Sequence, residues 1–266
     1  MFKNPNKSTT SKVYGEILLN NILCDDVQRL FYPLHTMFKI FLTSKFTIRD
    51  NFLTPNRNVY NITMFLFWLT LAIYFGYRRV WSYWGEILYQ DRSLFLLISP
   101  YIYFFIYFGG VFTIFVLNLI HGHQNILLLL KIQQIHEKIQ LNKYVLDKFT
   151  YGNWITCVAI LISNILPYIF YYLTLEKFNI INFLLNIWGV TFDINIVYGI
   201  RLMVYLTECI NKWNLDVVKN IEELESDKEK HRLETYADIL RAFNIFKQMF
   251  RVMVSTVYFD VKRACN

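Results

Sequence analysis

The chain is poor in cysteine, glycine and proline, with 4, 9 and 5 of them in 266 residues. Cys24, Cys157, Cys209 and Cys265 stand apart, without a CxxC pair, which argues against a disulfide framework and predicts reduced thiols with no assigned chemistry. No linker rich in Pro, Gly or Ser divides the chain, and no internal repeat is visible. Walker loops, GxGxxG, HExxH and GxSxG are all missing, so phosphate cradling, zinc hydrolysis and serine acyl transfer lack their usual parts. The chain therefore reads as no enzyme, with no cofactor and no metal site. The amino-terminal MFKNPNKSTTSKVYGE is polar and lacks the apolar core of a secretory signal, so insertion into a membrane is expected to begin with the first apolar run.

What the chain has in abundance is apolar surface: 55% hydrophobic residues, 18% aromatics and a mean hydropathy of +0.29. Four runs carry most of it, Val59–Tyr77, Leu94–Ile120, Trp154–Leu175 and Ile180–Tyr205. Each approaches or exceeds the ~20 apolar residues that cross ~30 Å of hydrocarbon. Without period-2 alternation a β-barrel is excluded, and an all-α polytopic transmembrane bundle is expected. A fifth run, VMVSTVYF, is the foot of a span cut short by Asp260, Lys262 and Arg263. The expected division is an amino-terminal and interfacial segment over 1–58, a four-helix membrane region over 59–205 and cytoplasmic helical extensions over 206–266.

The net charge of +7 is a topology signal. Lys and Arg gather before Val59, in 121–153 and after Leu206, which places both termini and the 121–153 loop in the cytoplasm of a multi-pass cell-membrane protein. Nucleic acid is not the expected partner, whereas membrane lipid is. The sequons at Asn6 and Asn61 then lie at or inside the inner boundary and stay unmodified. His121, His123 and His136 have Glu137 alone as a nearby acid, and read as loop histidines at the end of a span.

Residues 13–50 contain an amphipathic stretch expected to lie along the inner membrane face. Pro33 interrupts the run Leu30–Ile48, in which Lys39 and Lys45 are placed to reach head groups. Beyond the fourth run, Thr207–Asp227 continues as a helix. A further helix is patterned by Leu233, Tyr236, Leu240, Phe243 and Phe250.

In the fourth run Asn182, Asn186, Gly189 and Asp193 share one helix face. A carboxylate at mid-depth costs ~2.5–3.5 kcal/mol on insertion scales, so Asp193 lines a cavity or forms a packing hydrogen bond. Arg201 lies roughly 12 Å further along the helix by its ~1.5 Å rise, too far for pairing, so each needs another partner or water. The outer halves of the runs are rich in tyrosine, among them Tyr74, Tyr103 and Tyr171, with a kink expected at Pro167. Two readings stand: an interfacial aromatic belt, or an outward-facing ligand pocket with polar fixings from Asn182, Asn186 and Asp193.

The run LFYPLHTMFKIFLTSKFTI resembles the amino-terminal segment of insect gustatory receptors, where a Pro-Leu step and an apolar run lead into the first span. YADILRAFNIFKQMF is similar to the helix that rises into that family's fifth span, and the short 176–179 loop fits as well. The resemblance implies seven helices, an inside amino terminus and tetrameric, tastant-gated cation channels whose pore is lined by the seventh helix. The partners it implies are a small organic tastant and other receptor subunits, in homo- or hetero-oligomers. The family's signature in that helix is a Thr-Tyr pair, five hydrophobic residues, then Gln-Phe, and it does not occur here. The expectation is thus a truncated gustatory receptor lacking the pore-lining helix, with VYFDVKRACN arising from splicing, a frameshift or an incomplete gene model. An odorant receptor of the same superfamily, a small four-span accessory or scaffold protein and, on Asp193 and Arg201 alone, an enzyme or proton-coupled transporter are the alternatives.

Overall fold

The computed structural model describes residues 21–49, 51–87, 109–175, 180–219 and 226–265. They are mostly helical: α1 (Asp25–Ile40), a hairpin of β1 (Thr47–Arg49) and β2 (Phe52–Thr54), α2 (Asn58–Ile87), α3 (Gly109–Ile120), α4 (Gly122–Ile139), α5 (Lys143–Leu175), α6 (Ile180–Lys219) and α7 (Ser226–Cys265). Among the described residues two stretches, Lys143–Pro167 in α5 and Val190–Lys219 in α6, are long and apolar enough to cross a membrane. A third candidate is α3 with α4, if a pair bent by 73° counts as one span, and α2 holds a shorter apolar stretch, Val59–Tyr74. Of the second expected run, 94–108 lies outside the described residues. Pro167 sits inside α5, which continues to Leu175.

The centre of the molecule is a segment that sequence reading left as a loop. Within 121–153, α4 buries Ile126, Leu128, Leu129, Leu130, Ile132 and Ile135. Three consecutive buried leucines mean that more than one face of the helix is covered, here by α7, α6 and α1, while His123 and Glu137 stay exposed. Its apolar run is too short to cross a bilayer and is flanked by Asn125 and Lys131, which explains why it read as a connector. Each such side chain contributes roughly 1.5–3 kcal/mol on burial. The helix stops at Gln140, which adopts a left-handed conformation and donates its N–H to the His136 carbonyl.

The amino-terminal run builds part of the core as well. α1 packs chiefly on α5 and also on α6, burying Val27, Leu30, Phe31, Leu34, Met37 and Phe38. Phe31 packs edge-on to Tyr198 and Tyr205, with ring centroids 6.3 and 6.4 Å away, and Phe38 packs on Tyr198 at 5.3 Å, so α1 runs antiparallel to α6. From Phe31 to Phe38 it climbs about 10 Å by the helical rise. Pro33 does not end the helix, because burial of this face outweighs the hydrogen bond that proline cannot donate.

Past Ile40 the chain turns at Leu42 (φ 57°) and comes back as a strand. β1 and β2 pair Thr47 with Thr54, Ile48 with Leu53 and Arg49 with Phe52, around a turn that holds Asn51 at φ 66°. Leu23 N–H donates to the Asn51 carbonyl and Leu53 N–H to the Asn21 carbonyl, closing residues 21–54 into an excursion that returns to its start. The hairpin was not expected, although β-branched residues flanking Asp50-Asn51 carried its signal.

In α7 the buried face is Thr235, Asp238, Ile239, Ala242, Met249 and Phe250. Of the stripe chosen from sequence, Phe250 is buried as expected, whereas Leu233, Tyr236, Leu240 and Phe243 are exposed, so over that part of the helix the expected phase is off by about one residue. Close approach to α4 takes the small Ala242 and a charged clamp; on the bulkier face Tyr236 stacks on Trp213, ring centroids 4.8 Å apart, while Leu233, Leu240 and Phe243 stay exposed.

Candidate functional site

Of the residues expected to line an outer pocket, Tyr103 lies outside the described residues. Tyr171 is on α5, and Asn182 and Asn186 on α6, but their side chains are outside the described ones. Tyr74 is on α2 and exposed. Asp193 on α6 is half-buried, and its Oδ2 accepts a hydrogen bond of 3.3 Å from Nδ2 of Asn164 on α5. Asn164 also donates to the Ile160 carbonyl at 2.9 Å. The structure thus joins Asp193 to α5 through Asn164.

Arg201 finds its partner in the same way. Its Nε donates to Oδ1 of Asn153 on α5, its Nη2 donates to the Phe149 carbonyl at 3.1 Å, and the guanidinium sits 5.7 Å from the Phe149 ring. Asn153 is buried and donates onward to the Leu30 carbonyl at 2.8 Å, so one polar chain links α6, α5 and α1. Gly152 makes room for it, since a Cβ there would collide with Nη2 of Arg201. Nothing in sequence spacing singles out Asn153 or Asn164 as these partners.

Lys45 does not reach head groups. It is 6% exposed, donates to Oδ1 of Asn118 at 2.9 Å and lies 5.3 and 5.5 Å from the Phe38 and Tyr198 ring centroids. Burial lowers its pKa to about 7. Beside it a cavity of about 10 Å³, bordered also by Asn118, His121 and Asn125, has room for about one water. His35 stacks on Phe46 at 5.2 Å, and burial together with the Lys39 charge lowers its pKa to about 4, so it is neutral near pH 7.

The three histidines His121, His123 and His136 are not gathered into a site. His121 stands at the α3–α4 bend, His123 is exposed, and His136 lies in the last turn of α4, 3.7 Å from Asp26. Among the described residues no group of three His, Cys, Asp or Glu is arranged to hold a metal. Cys24, Cys157 and Cys209 are free thiols, the last two buried.

A second charged centre fastens α4 to α7. Asp238, 8% exposed in its side chain, meets Lys138 Nζ at 2.6 Å, Lys131 Nζ at 3.3 Å and Arg241 Nη1 at 3.3 Å. Burial alone would raise this carboxyl, but the hydrogen bond from Lys138 and the Lys131 and Lys138 charges outweigh it and hold the pKa below the usual range. Sequence reading missed the clamp, because Lys131 and Lys138 belonged to the supposed loop.

Comparison with family models, with curated proteins and with solved structures returned no match.

Proposed function

We propose that the chain is a multi-pass cell-membrane receptor of the insect gustatory kind, responding to a small organic tastant and belonging to a family of ligand-gated cation channels. The observation that supports this most is the behaviour of Leu30–Ile48, the run that carries the resemblance. Its helix α1 packs on α5 and on α6, and Phe46 beyond it is buried in the same core; the 40 residues of α6 continue unbroken from an apolar stretch into a charged one. Exposed apolar side chains along α2 and α5, among them Ile62, Leu66, Ile73, Val158, Ile162 and Leu166, suit contact with lipid.

In this reading the chain crosses the bilayer four times with both termini inside, and the tastant binds between the outer halves of the spans, with Asp193 and Asn164 at the floor. The receptor acts as an oligomer, a tetramer if it follows the family, without enzymatic chemistry, cofactor or nucleic acid. The exposed stripe of Leu233, Leu240 and Phe243 on α7 supports assembly with other subunits. The same stripe favours a second reading, a four-span accessory protein that docks on a complete receptor.

Transcript sequencing separates the two. A reading frame that runs on past Asn266 into further spans bearing the Thr-Tyr and Gln-Phe signature supports the receptor. A stop codon after Asn266 in every transcript favours the accessory protein.

A further inference from the structure

On the outside of the junction between α1 and α5 lies an open groove of about 610 Å³. One wall is the outward face of α1, with Asp25, Arg29 and Tyr32, and the other is the first turns of α5, with Asp147, Tyr151 and Trp154. The spacing on both walls keeps each set on one helix face. Arg29 Nη2 approaches Asp147 Oδ1 at 3.5 Å, and both side chains stay about half exposed, at 64% and 48%. Such a pair contributes little stability and is free to exchange partners. The Tyr32 and Trp154 rings lie 6.4 Å apart at 57°, and Tyr32, Tyr151 and Trp154 are 52%, 69% and 42% exposed.

We infer that this groove binds the head group of a zwitterionic, ammonium-bearing phospholipid of the inner leaflet. The inference rests on α5 crossing the membrane, as proposed above. The charges choose the head group: two carboxylates against one guanidinium leave the groove net negative, although the chain as a whole is +7. An anionic head group meets repulsion there. A zwitterion sets its phosphate on Arg29 and its ammonium between Asp25 and Asp147, with three aromatic faces available for cation–π contact. The tail is accounted for as well. From Trp154 an exposed apolar ridge of Ile155, Val158, Ile162 and Leu166 continues along α5, so an acyl chain has a path away from the head group.

The test is native mass spectrometry of the 266-residue chain released from detergent micelles holding equal phosphatidylcholine and phosphatidylglycerol. One phosphatidylcholine should be retained in preference to phosphatidylglycerol by roughly threefold or more, in line with cation–π and ion-pair contributions at a partly exposed site. Asp25→Asn with Asp147→Asn should reverse that preference, and Trp154→Leu, which keeps apolar bulk, should weaken phosphatidylcholine retention. Circular dichroism melts of the variants should match the wild type, since the substituted side chains lie in an open groove; if a variant is misfolded, competition by soluble phosphocholine on the wild type gives the same readout. Retention without head-group preference, or a preference unchanged in the double variant, overturns the site and leaves the membrane reading standing. A chain that stays monodisperse in detergent-free buffer and holds no lipid overturns the membrane reading itself.

Discussion

Lys45 shows what a single residue contributes. Its folded pKa of about 7 lies below the 10.5 of an exposed lysine, so between those values the unfolded chain holds more protons and stability rises with pH. Below about pH 7 the cost of burying the charge is present in full. His121, which borders the same cavity, adds no negative charge to offset it. Lys45→Met should therefore melt at a higher temperature than the wild type at pH 6.5, with the gain shrinking toward pH 10. A variant less stable at every pH would mean that the Asn118 bond and the two rings outweigh desolvation. At Asn153, replacement by Ala strips Arg201 and the Leu30 carbonyl of one partner and should cost about 2 kcal/mol in denaturant unfolding, as expected for a hydrogen bond to a charged group. At this scale the sequence said that Asp193 and Arg201 each needed a partner, and both have one. Which asparagine serves which group depends on how α5 rotates against α6, and spacing along one chain does not encode that. Lys45 misled because a lysine among aromatics looks the same whether it snorkels to water or is buried.

At the scale of elements, the α4–α7 pairing carries the region after the membrane stretches. Asp238 holds three cations, and Asp238→Ala leaves Lys131 and Lys138 without it, at a cost of about 3 kcal/mol. Faster hydrogen exchange across 126–132 would report the loosening; unchanged exchange would show that the apolar contacts of α4 suffice alone. Because its pKa is depressed, the stability that Asp238 adds is present above the unfolded value of about 3.9 and is lost as pH falls through the folded one. Acid should thus detach α7 before the α5–α6 pair. The long helices were legible from apolar runs, which register length and composition directly. The interior helix α4 and the phase of α7 were not, since both depend on which neighbour covers which face. The β1–β2 hairpin was hidden by its brevity within a run read as a lipid-facing segment.

For the whole molecule, the basic segments, the apolar runs and the exposed apolar faces are what the proposed reading, a polytopic receptor with both ends inside, brings together. If the α7 stripe mediates assembly, Leu240→Glu with Phe243→Glu should shift the chain to smaller species on size exclusion while its helicity is kept, because both side chains are exposed in the single chain. On the proposed reading, the 266 residues expressed alone should give no tastant-evoked conductance in planar bilayers, because the Thr-Tyr and Gln-Phe signature that the resemblance assigns to the pore-lining helix does not occur in them. A reproducible ligand-gated current would place the pore elsewhere. In a receptor carrying the remaining spans, Asp193→Asn should shift tastant potency and spare surface expression if the outer pocket exists. Lowered expression with unchanged potency would mark Asp193 as a packing residue held by Asn164.

The measurement that bears most directly on the account is epitope accessibility in intact and permeabilised cells, with tags at Met1, at Asn266 and between Leu88 and Gln90, just beyond the end of α2 at Ile87. The distribution of Lys and Arg predicts that both terminal tags are labelled only after permeabilisation and the internal tag is labelled in intact cells. Labelling of either terminus from outside would contradict the orientation, and with it the receptor reading built on it.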